Sequence, residues 1–398
     1  MTALATDIYR QPLLTTPFHA RTAPLAIAND WLRWGGYTTV NCFSTVVEEY
    51  FAIRSAATLY DISPMRKYRV AGPGAVAYMN RLLTRDIAKL GPGRVAYAVW
   101  CNDAGKVIDD GTVFRLGENE FRLCAQEHQQ CWLEDSAIGF DVTVEDVTEA
   151  VAGLALQGPL SCAVLRRIGL DGIADLKPFG IARFPFEGGE LMVSRTGFTG
   201  DLGYELWVDP ALALVLWDRL MAANPDYRVV PVGSQALNMA RIEAGFIQTN
   251  TDFVAADFAV RPDRQRSPFE LGLDWLVDFR KGHFIGRRAL LREKETGPRW
   301  RLVGLDVAGN KPARDALIYH GKSRQVGAVT SAMWSPTAKR NIALAVIEAR
   351  WADKGEGLWA EIYLNRELQW KKIEAPCRIV PRPFFDPPRR RATPALDF

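Results

Sequence analysis

The chain has 398 residues, of which 48% are hydrophobic and 24% are charged, and its formal net charge is +3. These values are typical of a multidomain globular protein and exclude a broad basic surface for nucleic acid. The sequence shows no apolar run long enough to span a bilayer and no apolar segment of a secretory signal. We therefore expect a cytoplasmic protein with neither nucleic-acid nor membrane partners.

Residues that often carry chemistry are scattered along the chain. The six cysteines and four histidines form no CxxC pair and no cluster, so we expect free thiols and no metal site. No GxGxxG follows a strand and opens a helix, which argues against a dinucleotide enzyme. The basic run from Arg389 to Arg391 suggests a solvated tail, with a docking role as the alternative.

The first part of the chain alternates short strands and short helices. The predicted elements are helices over residues 46–57 and 75–83 and strands over residues 67–70, 95–101 and 107–114. This order indicates an α+β domain rather than a parallel βαβ sheet. Upstream, Trp31, Trp34 and Tyr37 form an aromatic cluster, which is more typical of core packing than of a ligand site.

The pattern of residues 191–208 predicts a strand, a tight glycine turn and a second strand. An apolar run leads into three glycines within seven residues, and apolar side chains then alternate from Tyr204 to Val208. Glycines permit positive φ and close approach of a neighbouring backbone. An ordinary glycine-rich hairpin would have the same pattern, so these residues alone do not define a site.

The remaining sequence predicts further helices and then a region of short strands. The predicted elements are helices over residues 211–222, 233–243 and 286–295, a strand with a glycine break over 271–277, and a linker at 294–298. Five short β patterns follow the linker. They predict a separate small β-barrel.

Eight fragments, in order along the chain, resemble the aminomethyltransferase family, which comprises the T-protein of the glycine cleavage system and its tetrahydrofolate-dependent relatives. The fragments are YDISPM (60–65), NDAGKVIDDGTV (102–113), LALQGP (154–159), SRTGFTGDLGYEL (194–206), ARIEAGF (240–246), SPFELGLDWLV (267–277), KGHFIGRRAL (281–290) and VGAVTSAMWSP (326–336). The resemblance extends from about residue 49 to 383 and is closer to the demethylase-like relatives.

The resemblance and the element pattern together imply a multidomain α+β fold. We expect ferredoxin-like or split α+β folate-binding domains followed by a small C-terminal β-barrel. The expected folate-binding domain is discontinuous and comprises residues 1–55 and 150–290. A second α+β domain covers residues 56–149, and the barrel covers residues 299–390.

The resemblance implies that tetrahydrofolate binds against the glycine turn. The family glutamate that anchors the pterin corresponds to Glu205. A carboxylate can accept the ring N–H and the exocyclic NH2 of the pterin edge together, as it accepts the two donors of an arginine. Phe198 and Tyr204, on the same turn, are assigned to the cofactor site as well.

The adjacent pair Asp109 and Asp110 is the candidate catalytic centre. Two acids beside a turn can simply face solvent. Strand alternation, however, would send one of them inward while the other points away. The family places the first aspartate near folate N5, so the resemblance gives the catalytic role to Asp109, where a carboxyl could hold or relay a proton.

Three further residues match family positions that line the folate cleft. Met65 would supply an adaptable apolar wall and Tyr97 a flat surface for a ring, although either could be a core residue. Arg241 would present a guanidinium to carboxylates of the folate tail or of a substrate. The alternative for Arg241 is an ion pair with Glu243 or a nearby acid.

Two residues differ from those usual in the glycine cleavage T-protein, and we assign these differences to the part of the site that binds the substrate rather than the pterin. Pro64 replaces its usual histidine and Phe198 its usual tyrosine. The sequence therefore predicts a tetrahydrofolate-dependent demethylase acting on a small O-, N- or S-methylated substrate and producing 5-methyltetrahydrofolate. For a cationic substrate, Trp31, Trp34 and Tyr37 could form a cation–π wall.

Two other functions remain open at this point. One is transfer of an aminomethyl or methylene unit together with a carrier protein. The other is a non-catalytic folate-binding protein of iron–sulfur assembly. Because the lipoyl-bound group of glycine cleavage does not fit the altered substrate end, we expect a small methylated substrate and no carrier-protein partner.

Overall fold

The computed structural model describes residues 13–321 and 323–395. The strands are β1 (Leu14–Thr15), β2 (Asp30–Trp34), β3 (Tyr37–Cys42), β4 (Ala57–Asp61), β5 (Arg66–Ala71), β6 (Arg94–Cys101), β7 (Val107–Gly117), β8 (Glu120–Ala125), β9 (Thr143–Asp146), β10 (Ala152–Gln157), β11 (Ile181–Phe186), β12 (Gly189–Ser194), β13 (Gly203–Val208), β14 (Val229–Pro231), β15 (Trp300–Val307), β16 (Leu317–His320), β17 (Arg324–Ser335), β18 (Arg340–Glu348), β19 (Leu358–Arg366) and β20 (Gln369–Val380). The helices are α1 (His19–Thr22), α2 (Val46–Ser55), α3 (Ala75–Leu82), α4 (Gln130–Ala137), α5 (Ser161–Arg167), α6 (Ala213–Met221), α7 (Ser234–Glu243), α8 (Arg287–Thr296) and α9 (Ala349–Lys354).

A six-stranded sheet has the order β11-β12-β13-β10-β4-β14 and is antiparallel except for the β4–β14 pair. Its central strand β10 is buried along its whole length because apolar side chains cover both faces. One face packs against α5 and α6 in a core that includes Leu154, Leu165 and Leu216. The other face meets the second large sheet.

The second sheet has five strands in the order β6-β7-β8-β5-β9, with all its pairs antiparallel. Its outer face packs on α3 through a core that includes Tyr78 and Trp100. Its inner face joins the six-stranded sheet in a shared cluster that contains Phe114 and Trp207. The two large sheets therefore lie face to face.

The C-terminal strands form a closed barrel in the order β15-β18-β17-β16-β19-β20. Side chains from alternate positions fill its interior, as closure of a small barrel requires. Helix α7 contacts the barrel through Ile242, which packs on Met333 and Ile342. The barrel is therefore joined to the six-stranded domain by an apolar contact. A three-stranded sheet, β1-β3-β2, completes the fold.

The predicted fold class is confirmed: several mainly antiparallel sheets with helices precede a closed six-stranded barrel. The hairpin at residues 191–208 forms as β12 and β13, which are paired in register. The predicted division into domains stays a prediction at most points. One boundary shifts, because β4 pairs with β10 and β14 in the six-stranded sheet although the division assigns residues 56–61 to the second domain.

The predicted strand at residues 271–277 is wrong. The segment folds in local turns, with a 3-10 helix at Asp274–Leu276. The Leu276 N–H donates to the Leu273 carbonyl at 3.0 Å, and Gly272 has a φ of +69°. Because the backbone bonds are local and φ is positive at the glycine, the chain cannot remain extended there.

Within the described ranges, none of the helices combines the length and the apolar character that crossing a bilayer would demand.

Candidate active site

The candidate site lies between the inner faces of the two large sheets. On the six-stranded sheet one row of cross-strand partners consists of Ser194, Glu205, Ala155 and Tyr60. On the five-stranded sheet a row consists of Tyr97, Thr112, Cys124 and Lys67. Directly paired residues of antiparallel strands point to the same face. Tyr60, Ala155 and Cys124 share one apolar cluster, so the two rows face each other.

Glu205 is half-buried on β13 and is held by a chain of hydroxyl groups. Trp207 Nε1 donates to Ser194 Oγ at 3.3 Å, Ser194 Oγ lies 2.8 Å from Thr196 Oγ1, and Thr196 Oγ1 donates to Glu205 Oε2 at 2.6 Å. Burial raises the pKa of Glu205 to about 7, against the opposing effect of the Thr196 and Ser194 hydroxyls. A carboxylate accepts about four hydrogen bonds, so these hydroxyls leave capacity for a ligand with two adjacent donors.

Tyr204 does not reach the cleft, and its prediction as a cofactor-binding residue is corrected here. Its side chain is 0% exposed and belongs to the core on the opposite face of the sheet, with Leu156 and Leu206. The physical reason is strand alternation: Glu205 faces the cleft, so its neighbour must point away.

Asp109 and Asp110 meet at one hydroxyl group, that of Thr249. Thr249 Oγ1 lies 2.6 Å from Asp109 Oδ1 and 3.0 Å from Asp110 Oδ1. Burial raises the pKa of both carboxyls, and for Asp109 the charge of Asp110 adds to this effect. A hydroxyl has a single proton, so Thr249 either shares it between the two carboxyls or donates it to one and accepts from the other when that one is protonated. The arrangement can therefore accommodate one proton on the pair.

The two acids differ in their access to the cleft. Asp109 is 0% exposed, and its Oδ2 accepts the Glu127 N–H at 3.2 Å. Asp110 is half-buried, and its Oδ2 accepts the hydroxyl of Tyr97 at 2.6 Å. The structure thus gives Asp110 the position beside Tyr97, whereas the catalytic role of Asp109 stays a prediction.

Tyr97 and Met65 both lie at the cleft, as half-buried side chains. The ring of Tyr97 is 6.1 Å from that of Trp275, which is 63% exposed, and burial beside Asp110 raises the Tyr97 pKa well above its usual value. Met65 packs on the cluster shared by the two sheets. Its carbonyl accepts from Lys67 Nζ at 2.8 Å, and burial lowers the Lys67 pKa to about 8.

Phe198 stacks on Phe246, with ring centroids 5.6 Å apart, and the guanidinium of Arg390 lies over the Phe246 ring. The glycine turn is held from behind by Arg389, which donates to Asp201 Oδ1 at 2.6 Å and Oδ2 at 2.8 Å. The predicted solvated tail is therefore wrong for these two arginines. The tail docks because Arg389 gives this buried carboxylate a bidentate partner, in addition to the longer contact with Arg54 at 3.4 Å.

Arg241 is 1% exposed and does not present its guanidinium to the cleft. It forms a buried ion pair with Asp252, donates to the Phe246 carbonyl at 3.0 Å and donates to Ser331 Oγ at 2.8 Å. The prediction that it faces a ligand carboxylate is corrected, because its donors are used within the protein. It ties α7 to the barrel.

The aromatic residues Trp31, Trp34 and Tyr37 do not form one wall. Trp31 packs beside His19, with ring centroids 5.7 Å apart. Trp34 stacks on Tyr60 at 6.2 Å and so borders the cleft, whereas Tyr37 is buried. Trp31 and Trp34 are three positions apart on one strand, so their side chains point to opposite faces.

Sequence reasoning missed several residues of the site: Thr249, Trp275, Thr196 and Lys67. Thr196 and Trp275 lie inside the resembling fragments, so the fragments could have identified them. Thr249 is 140 positions from Asp109. Nothing local in the sequence links these two residues.

Comparison with known proteins identifies the family to which this fold belongs. Residues 15–281 match the GCVT N-terminal domain, and residues 301–386 match the glycine cleavage T-protein C-terminal barrel domain. The fold and cleft thus define a transferase of the T-protein type. The chain belongs to the aminomethyltransferase family, as predicted, and tetrahydrofolate is the cofactor of this family, which confirms that prediction.

Individual relatives agree with this assignment. The chain is 34% identical to an aminomethyltransferase of Caldanaerobacter subterraneus, over 79% of this chain and 83% of that protein. It is 35% identical to an aminomethyltransferase of Geobacillus kaustophilus, over 89% and 94%. A trimethylamine-oxide aldolase of Ruegeria pomeroyi is 34% identical over 96% of this chain, which spans only 48% of that protein.

A solved structure has the same fold. The glycine cleavage system aminomethyltransferase T of Bartonella henselae superimposes with a TM-score of 0.83 and 27% identity, covering 96% of this chain and all of that one. The exclusion of a carrier-protein partner is wrong in the light of these relatives. They are named aminomethyltransferases, and one of them is named as part of the glycine cleavage system, the system to which the family resemblance assigns a lipoyl-bound group.

Proposed function

We propose that this protein is a tetrahydrofolate-dependent demethylase, which transfers a methyl group from a small methylated substrate to folate N5. The observation that carries the proposal is the Glu205 carboxyl, half-buried, held by hydroxyl groups and facing the cleft, with Asp110 of the opposite sheet beside Tyr97. Such a site combines an anchor for a flat polar ring with a proton store.

The residues of the cleft fit a pterin. The free acceptor capacity of Glu205 suits the adjacent N–H and NH2 donors of the pterin edge. Met65 and Tyr97 provide an apolar and an aromatic wall at the cleft, and Phe198 lies on the glycine turn beside it. Tetrahydrofolate, when bound, supplies N5 as the nucleophile that accepts the one-carbon unit.

The contribution of the protein to this transfer is alignment and proton storage. A cleft that holds the acceptor and the donor in line removes most of the entropic cost of a bimolecular step. The Asp110 carboxyl, between the hydroxyls of Tyr97 and Thr249, is placed to receive one proton at Oδ1 or Oδ2. The bonds from these hydroxyls stabilise either charge state of the acid pair.

A methylated ammonium or sulfonium is the donor class that this site favours. Its leaving group departs as a neutral molecule, so little acid catalysis is needed. The cleft-bordering ring of Trp34 can contribute a cation–π surface. The relative from Ruegeria pomeroyi, whose name specifies a methylated nitrogen compound, supports this donor class.

A second candidate function is aminomethyl or methylene transfer with a carrier protein. The names of most of the relatives favour it. A pull-down with a lipoylated carrier protein, followed by analysis of the folate product, discriminates between the two. Methylene-tetrahydrofolate formed only with the carrier supports the second function, and 5-methyltetrahydrofolate formed without it supports demethylation.

The first test is anaerobic calorimetric titration of the protein with tetrahydrofolate. We expect Glu205→Gln to weaken binding by about 10- to 100-fold, because a hydrogen bond to a charged group contributes roughly 1.5–3 kcal/mol. Glu190→Gln, the same change at an exposed position of the same sheet, is the matched control. Equal affinities of wild type and Glu205→Gln would refute the assigned pterin site.

A further inference from the structure

Arg241 was expected to bind a ligand carboxylate in the cleft, and a different arginine, Arg382, lies near that region. Arg382 follows the last barrel strand, β20, and lies in a segment fixed to the end of α7. The Phe384 and Phe385 N–H groups donate to the Glu243 carbonyl at 2.8 and 3.0 Å. The backbone that carries Arg382 is therefore held in place by the end of α7.

Three glycines, which have no side chains, leave the space that the Arg382 side chain occupies. A Cβ placed on Gly245 would lie 3.0 Å from Arg382 Cβ, and one on Gly304 would lie 2.9 Å from its Cγ. A Cβ on Gly272 would lie 2.6 Å from Arg382 Nη2. These contacts follow the side chain from its base to its charged end. Larger residues at the three positions would displace the guanidinium, so the slot determines where the charge lies.

The guanidinium lies near the mouth of the cleft. Gly272, against Arg382 Nη2, precedes Trp275 by three residues, and the Trp275 ring packs beside Tyr97. The positive charge of Arg382 acts on Tyr97 and lowers its pKa, against the larger effect of burial. The charge thus lies close to the Tyr97–Asp110 pair.

The charge of Arg382 is not neutralised by a direct partner. Within the described part of the chain its guanidinium has no hydrogen bond or ion pair, and the residue is half-buried, which lowers its pKa. Asp252, an acid whose charge acts on Arg382, already accepts from Arg241 and from the hydroxyls of Thr330 and Ser331. A half-buried guanidinium without a protein acceptor can take a ligand carboxylate without losing a bond of its own.

We propose that Arg382 binds a carboxylate of a ligand lying in the cleft beside Tyr97. The planar fork of a guanidinium matches a carboxylate with two parallel hydrogen bonds. The inference rests on the proposed function, because the carboxylate belongs either to the methylated donor or to the glutamate tail of tetrahydrofolate. Arg382 is in this sense a determinant of ligand specificity.

The experiment titrates wild type, Arg382→Gln and Arg378→Gln calorimetrically with tetrahydrofolate and with 6-methyltetrahydropterin, which has the pterin ring and no carboxylate. Arg378, on β20, pairs with Asp306 and its side chain is 79% exposed, so the same change at this position is the matched control. If Arg382 holds the folate tail, Arg382→Gln loses about tenfold or more of its affinity for tetrahydrofolate and none for 6-methyltetrahydropterin. Retained binding of 6-methyltetrahydropterin also shows that the variant is folded.

The donor is tested with trimethylglycine and tetramethylammonium, which differ by a carboxylate. If Arg382 holds the donor, Arg382→Gln weakens trimethylglycine binding to the folate complex and leaves tetramethylammonium binding unchanged. An Arg382→Gln protein that matches wild type with every probe overturns the inference while leaving the folate site intact. Failure of wild type to bind tetrahydrofolate overturns the proposed function, and this inference with it.

Discussion

The two carboxylate centres of the cleft are built in opposite ways. Glu205, on the central part of the six-stranded sheet, is half-buried and held at one oxygen by the Thr196 hydroxyl. Asp109, on the five-stranded sheet and paired with Trp100 of its outer core, is 0% exposed and accepts from Thr249, from the Glu127 N–H and from the Asp110 N–H. Glu205 can accept further hydrogen bonds from a ligand, whereas Asp109 uses most of its acceptor positions for hydrogen bonds within the protein.

This difference separates ligand binding from proton storage. A carboxylate with unfilled acceptor positions can take new donors from a ligand without losing bonds of its own. A carboxylate saturated by the protein gains little from a ligand, but its raised pKa lets it hold a proton at neutral pH. We therefore expect substitutions at Glu205 to reduce tetrahydrofolate affinity and substitutions at the acid pair to reduce turnover.

The largest effect should come from loosening the turn that carries Phe198. Arg389→Ala removes the bidentate partner of Asp201, whose side chain is 0% exposed, and leaves it the longer contact with Arg54 at 3.4 Å, so we expect the free energy of unfolding to fall by about 3 kcal/mol, the lower end for a broken buried pair. Tetrahydrofolate affinity should fall as well. Chemical denaturation measures the first effect and calorimetry the second.

Arg391→Ala is the matched control, because it breaks an exposed pair with Asp386 and should cost less than about 1 kcal/mol. Equal losses of stability in the two variants would show that Arg389 does not hold the turn.

A smaller effect should follow at the acid pair. Thr249→Val keeps the shape of the side chain and removes the hydroxyl shared by Asp109 and Asp110, so we expect a loss of about 2 kcal/mol in stability. Turnover should fall while tetrahydrofolate affinity stays within about twofold, as an effect under roughly 0.5 kcal/mol.

Thr251→Val, at an exposed position two residues away, should change stability by less than about 0.5 kcal/mol. A Thr249→Val protein that lost folate affinity and kept its turnover would contradict the division of roles between the two centres.

The smallest effect is a pH dependence at Glu205. Its pKa in the folded protein is about 7, above its ordinary value, so the carboxyl gains a proton as the pH falls through neutrality. Because the anion is the form that accepts both pterin donors, we expect affinity to rise about tenfold from pH 6 to pH 8. Calorimetry at a series of pH values measures this rise, and Glu205→Gln should abolish it.

Stability should change in the opposite direction. A carboxyl with a raised folded-state pKa contributes stability that is complete below its unfolded pKa and lost as the pH rises through the folded one. The unfolding free energy of the ligand-free protein should therefore fall between about pH 4.5 and 7, and less steeply in Glu205→Gln. A wild-type affinity that is independent of pH would contradict the assigned pKa.

The sequence by itself determined the local elements and the identity of the anchor. Alternation and glycine placement predict the β12–β13 hairpin. The family fragments point to Glu205 and the acid pair, and a further family position points to Tyr97. These signals are local, since the periodicity of a strand and the conformational freedom of a glycine depend only on neighbouring residues. Alternation also explains why Tyr204 points away from the cleft.

Only the tertiary structure decided how the charged side chains are paired. Arg241 is buried against Asp252, Arg389 docks on Asp201, and Thr249 joins two acids that are remote in sequence. Contacts between distant parts of the chain decide which arginine pairs with a carboxylate of the protein and which stays available to a ligand. No local sequence pattern encodes these contacts. Arg382 is placed by glycines from three separate segments, so its position exists only once the barrel meets the sheets.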